Sequence, residues 1–114
     1  MQQTNRNHEM MKSIPHELHI VDSDEMLDLM ATCWYDGYTG IIIQQESLPV
    51  GFFDLKSGVA GEILQKFSNY RMRIVIEGDF SQVKSKSLAA FITECNRGGD
   101  VCFSAREPGV KIRR

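Results

Sequence analysis

Two stretches of this chain concentrate the residue types that do chemistry. "FDLKSG" carries Asp54, Lys56 and Ser57 ahead of Gly58, and "GDFSQVKSKS" carries Asp79, Phe80, Ser81, Lys84, Ser85, Lys86 and Ser87. Three chemistries follow from such residues. Two carboxylates sharing a pocket do acid and base work, and Asp54 with Asp79 is the available pair. Lys84 and Lys86 among serines, joined by the free amides of two helix N-termini, make an anion pocket. A serine at a helix start tolerates a phosphoryl group, which gains from the helix dipole, and Ser57 is the serine so placed. Hydrolysis or acyl transfer would require a nucleophile, a base and an oxyanion site together, yet His8, His16 and His19 all fall in the first nineteen residues. Those histidines have no matching carboxylate or cysteine constellation, so no metal is expected. "SGVAG" has neither the Gly-x-Gly-x-x-Gly nor the Gly-Lys-Ser/Thr pattern, so no nucleotide cofactor is expected. A non-catalytic role is the reading these residues favour.

Each feature also has a plain structural reading. Ser57 is most simply a helix N-cap. Gly58 and Gly61 allow a helix to approach a sheet. Asp79 and Ser81 make an Asx-type turn that caps itself. Glu62 with Lys66 is an i,i+4 pair on a helix surface, and Glu94 sits on a helix in the same way. Cys95, beside Ile92 on an apolar helix face, reads as a buried thiol and not a nucleophile.

The elements that must position these residues alternate along the chain. "HELHIV" places His16, Leu18 and Ile20 on one side of a first strand. Asp22, Ser23 and Asp24 supply N-cap chemistry to a helix whose Met26, Leu29, Met30 and Cys33 form one apolar stripe, closed by Gly37 and Gly40. "GIIIQ" is a continuous β-branched run, expected to be covered on both faces. A second helix follows with Val59, Ile63, Phe67 and Tyr70 on one stripe, then a strand in "RMRIVIEG". A third helix from about Ser87 carries Leu88, Phe91, Ile92 and Cys95 and stops at Gly98-Gly99, before a last strand in "DVCFS". This order implies right-handed crossovers in an α/β domain with a mixed, largely parallel sheet of four to five strands and about three helices. Ligands of such sheets gather beyond the carboxyl ends of the strands, where both chemical stretches lie if their strands are neighbours.

Composition sets the outer bounds. The 114 residues carry a net charge of -2, 42% hydrophobic and 25% charged residues, as a soluble single domain does. That balance argues against a nucleic-acid partner, which a clustered basic face would attract; the basic "VKIRR" ending reads as a solvated tail. Cys33, Cys95 and Cys102 show no paired spacing and are expected as reduced thiols of a cytoplasmic protein. No signal peptide or membrane span is apparent, so no membrane partner is expected. The organisation is a weakly ordered segment 1–14, one domain over 15–105 and a basic tail 106–114.

"FFDLKSGVAGEILQKFSNY" together with "GDFSQVKSKSLAAFITECNRG" resembles the bacterial domain-of-unknown-function family 4180. The resemblance rests on Phe53-Asp54-Leu55, Gly58, Ala60-Gly61-Glu62, Leu64 to Phe67 and Asn69-Tyr70, then Gly78 to Ser81, Ser85 to Leu88, Phe91-Ile92, Glu94 and Asn96 to Gly98, and covers about Ile20 to Phe103. It implies a further amphipathic helix after the last strand, where this chain reads "REPGVKIRR". At fold level the chain is also similar to STAS domains of sulfate transporters and anti-sigma factor antagonists. Those carry Asp-Ser-Ser-Gly-Leu-Gly at the start of the second helix, with the second serine phosphorylated by a kinase that is also the anti-sigma factor. "DLKSGVAG" sets Ser57-Gly58 at that place, with Asp54 three residues before the serine instead of adjacent to the pair. The resemblance implies a regulatory module that contacts an unidentified regulatory protein, or a second copy of itself, through Asp54, Lys56, Ser57, Gly58, Glu62, Asp79, Phe80, Ser81, Ser85, Lys86 and Ser87, with Ser57 as phosphoacceptor. The alternative is a binder of a small anionic ligand, or an enzyme, using the same two loops.

Overall fold

The fold is described from a computed structural model that defines residues 10–105; the N-terminal His8 and the "VKIRR" tail fall outside the described residues. Four strands form one sheet: β1 (Met11–Ser13), β2 (Gly40–Gln44), β3 (Arg73–Gly78) and β4 (Val101–Ala105). All neighbours are parallel and the order is β1-β2-β3-β4. Sequential order with right-handed crossovers lays the three connecting helices in one layer on one face of the sheet.

Each helix starts and stops where its side chains dictate. In α1 (Ser23–Tyr35) the Asp22 carboxylate accepts from the Glu25 amide at 2.9 Å, and Gly37, at φ +95°, releases the chain afterwards. In α2 (Val59–Asn69) the cap is Gly58, at φ +81°. This helix ends in a Schellman pair, with Met72 N–H donating to Phe67 O at 2.8 Å and Arg71 N–H to Ser68 O at 3.0 Å. In α3 (Lys86–Gly98) the Ser85 hydroxyl accepts from Leu88 N–H at 3.1 Å, and Gly99 supplies the left-handed exit.

The core lies between sheet and helix layer. Ile41, Ile43, Ile74, Ile76 and Phe103 point from the strands to meet Met26, Met30 and Cys33 of α1 and Ala60, Ile63 and Phe67 of α2. Desolvation raises the pKa of the Cys33 thiol, against the pull of Lys12 and with that of Asp36. Phe91, Ile92 and Cys95 of α3 reach the same cluster only in part.

The structure departs from the sequence reading at four points. No strand forms in His16–Val21. The first strand is Met11–Ser13, inside the segment 1–14 that the sequence set apart, and Ile20 is buried by folding back so that its amide donates to Ser47 O at 2.8 Å. Ile42, with Val75 and Cys102 beside it in register, is half-buried and outside the core cluster, so β2 is not sealed on both faces by the described residues. Tyr70, expected on the inner stripe of α2, is 42% exposed and packs edge-on to Trp34. α3 begins one residue earlier than expected, because Ser85 and not a later serine caps it. Among the described residues no helix is long and apolar enough to cross a membrane.

Candidate functional site

β2 and β3 are paired in register from Gly40–Arg73 to Gln44–Glu77. Their exit loops therefore leave the same end of the sheet, and α2 and α3 begin there with their N-termini toward solvent. A cleft of about 660 Å³ opens between the loops, lined by Phe53, Asp54, Leu55 and Lys56 on one side and Ser85 and Ser87 on the other. The sequence nominated Asp54, Lys56, Ser85 and Ser87, and the fold brings these four to one place.

The β2–α2 loop is held by its own side chains. The Asp54 carboxylate accepts from Lys56 N–H at 3.2 Å and starts a 3-10 turn over Leu55–Ser57. The Ser57 hydroxyl donates to Gly51 O at 2.7 Å and accepts from Val59 N–H at 3.1 Å. Ser57 is thus not the N-cap expected of it: Gly58 holds that position in the left-handed conformation, and Ser57 reaches over it to satisfy the first helical amide. Its side chain is exposed.

The β3–α3 loop is self-contained in the way its Asp and Ser suggest. The Asp79 carboxylate accepts from Ser81 N–H at 3.1 Å and from the Ser81 hydroxyl at 2.6 Å. The Asp79 amide donates to Gln45 Oε1 at 2.8 Å, which ties this loop to the end of β2. Gln45 crosses directly over Gly78, where a Cβ would collide with the Gln45 side chain. Lys86 is the exposed first residue of α3.

Two nominated residues have other duties. Glu62 accepts from the Ser23 hydroxyl at 3.1 Å, bridging α2 to α1 on the side away from the cleft, in place of the expected pair with Lys66. Ala60, Ile63 and Phe67 fix the rotation of α2, and that rotation turns Glu62 toward α1. Phe80 belongs to the apolar bed beneath the loops. Its ring lies 5.4 Å from Phe103 and 6.1 Å from Phe53, while Phe91 and Phe52 extend the cluster at 6.2 Å from Phe103 and 5.1 Å from Phe53. Edge-on and tilted rings at such spacings pack favourably beyond the area they bury.

Phe53 and Leu55 are the lining residues that sequence reasoning missed. Their signal was present: a Phe-Phe doublet and a leucine in a polar, glycine-bounded loop ahead of α2. The arrangement offers an apolar floor, a rim bearing one carboxylate, one ammonium group and two hydroxyls, and one helix cap on the rim.

A family model for a domain of unknown function, DUF4180, matches residues 5–113. No curated protein and no solved structure matches the chain.

Proposed function

We propose that this chain, a member of the DUF4180 family, is a cytoplasmic regulatory protein-interaction module that takes an apolar anchor of a partner protein into the cleft and is switched at Ser57. The observation that carries the reading is the cleft itself, a phenylalanine and leucine floor within a ring of Asp54, Lys56, Ser85 and Ser87. Apolar centres with polar rims are the anatomy of protein-protein contact sites. The resemblance of "DLKSGVAG" to the corresponding turn of anti-sigma factor antagonists points to the same role by analogy, because in those domains a serine at the start of the second helix governs partner binding.

The chemistry of the switch follows from the Ser57 contacts. A phosphoryl group on Ser57 replaces the proton that Gly51 O receives, so the clamp across residues 51–57 opens. It also brings about -1.5 to -2 of charge to the loop that carries Asp54, which repels an acidic partner and makes burial under an apolar one costly through desolvation. The test is a photo-crosslinking residue placed at position 56 in living cells, with a second at exposed Gln65 as the reference position. One discrete adduct at 56, absent at 65 and lost with Phe53→Asp and with Ser57→Asp, is the expected result. Adducts equal at both positions, or unchanged by both substitutions, would overturn the reading.

The runner-up, a small anionic ligand, is favoured by Lys56 facing the first turn of α3 across the cleft. A thermal-shift screen with phosphorylated metabolites separates the two. A ligand at ~100 times its Kd stabilises the domain by ~2.7 kcal/mol.

A further inference from the structure

The opposite end of the sheet holds a second concavity, independent of the cleft. Between the C-terminal halves of α2 and α3 lie two adjoining hollows of about 250 and 320 Å³, which share Ser68, Met72 and Asp100. The first is apolar, walled by Leu64, Phe67, Cys95 and Val101; the second is polar and carries Arg71. Desolvation, with help from neighbouring Glu94, raises the pKa of the Cys95 thiol, so this wall is neutral at physiological pH.

Arg71 is the only non-glycine residue at positive φ, +57°, among the described residues. It occupies the C′ position of the Schellman motif that closes α2, where glycine is the unstrained choice. The bonds of the motif are made by backbone atoms alone, so the motif does not depend on the guanidinium. Asp100, immediately before β4, shares the polar hollow. Both side chains are exposed, and among the described residues neither has a hydrogen-bond or ion-pair partner, each other included. Glu94 at the rim is already paired with Arg97 at 3.1 Å. One unpaired cation and one unpaired anion thus share the polar hollow, and the apolar hollow adjoins it through Ser68, Met72 and Asp100. The carbonyl end of α2 lies beside Arg71 and that of α3 beside Asp100, so both helices add partial negative charge to the groove, which favours the ammonium of a ligand.

We propose that this groove binds a small zwitterion with an apolar side chain, an aliphatic or thioether α-amino acid, its carboxylate on Arg71, its ammonium on Asp100 and its side chain against Leu64, Met72 and Val101. A lone carboxylate would leave Asp100 beside it uncompensated, and a lone amine would face Arg71. Only a ligand bearing both charges satisfies both residues. The polar hollow, at about 320 Å³, is at the lower end of the size that small ligands fill, and the apolar hollow extends it.

The experiment is a titration of the ¹⁵N-labelled protein with L-leucine and L-methionine, followed by amide shifts. 4-Methylpentanoate and 3-methylbutylamine, which each lack one of the charges, are titrated in parallel. The expected result is saturable shifts confined to residues around Ser68, Arg71, Asp100 and Val101, with each singly charged analogue at least about tenfold weaker. Arg71→Gly should weaken amino-acid binding by about tenfold or more while relieving backbone strain. Loss of binding is separated from loss of fold by the denaturation midpoint of the variant, which is expected to be no lower than that of the parent. Asp100→Asn should weaken binding comparably. The proposal is overturned by equal affinity for the carboxylate alone, by undiminished binding to Arg71→Gly, or by no saturable shift at about 10 mM, ten times a 1 mM Kd.

Discussion

The seam between α1 and α2 is closed, and the seam between α2 and α3 is open at both ends. Ser23 and Glu62 bridge the first at the N-terminal ends of its helices, and Trp34 packs edge-on to Tyr70, 5.5 Å between ring centroids, at the other. Both α1 and α2 bury three side chains fully, whereas α3 buries none. Along the second seam the cleft opens at the carboxyl end of the strands and the groove at the amino end. The two helices flanking that seam are of similar length and are both amphipathic; their position in the layer separates them. α2 has a helix on either side, and α3 sits at the edge, held by the phenylalanine cluster and by β4. Stability therefore concentrates in α1, α2, β2 and β3, and the surfaces open to ligands and partners share α3 as one wall. Recognition sites drawn from the less stable part of a domain are the general expectation.

The sharpest way to break this comparison is a pair of truncations. Ile63→Ala, in the middle of α2 with no exposed surface, should cost about 2–5 kcal/mol in denaturant unfolding. Ile92→Ala on half-buried α3 should cost roughly 1 kcal/mol, in proportion to the area it hides. Equal costs would mean that α3 belongs to the same cooperative core. Native-state hydrogen exchange gives the same ranking without mutation: α3 amides should open at lower free energy than α2 amides.

Two smaller effects test the staples at the cleft. Ser57→Ala removes both the bond to Gly51 O and the one from Val59 N–H, and should cost about 1–2 kcal/mol by the same measurement. That outcome bears on the switch, because it measures the clamp that a phosphoryl group would release. Gly78→Ala pushes the Gln45 side chain off its bond to the Asp79 amide, and should cost about 1 kcal/mol. An unchanged stability would show that Gln45 swings away and that the two loops are not coupled through it.

What could be read in the sequence follows the same division. Helices and central strands were legible because their apolar periodicity is also their burial pattern: Met26, Met30 and Cys33, or Ile63 and Phe67, face inward as spaced. β1 was not, because Met11–Ser13 is an edge strand of three residues held by backbone pairing to β2, without alternation. "HELHIV" alternates and still forms no strand, since Pro15 and the return of Ile20 to Ser47 bend it. At the cleft, Asp54, Lys56, Ser85 and Ser87 were legible as polar residues opening helices after strands. Phe53 and Leu55 were not, because a loop residue has no period to reveal which way it points. The destination of Glu62 required the rotation of α2, which a single stripe of apolar residues fixes only once a neighbouring helix is known.

The smallest predicted effect has the opposite sign and lies at the groove. At the closing turn of α2, Arg71 holds a left-handed backbone that costs an L-residue roughly 1 kcal/mol, and glycine adopts it freely. Glycine also widens the unfolded ensemble, which offsets part of the gain. Arg71→Gly should therefore raise stability by about 0.5 kcal/mol, a shift of the denaturation midpoint with an unchanged m-value. The two Schellman bonds involve only backbone atoms and survive the change. Should the variant instead lose stability, the guanidinium would be a structural contact of the native state, and the seam between α2 and α3 would be closed at its amino end. A gain leaves the side chain without a structural role, as a binding group at an open seam requires.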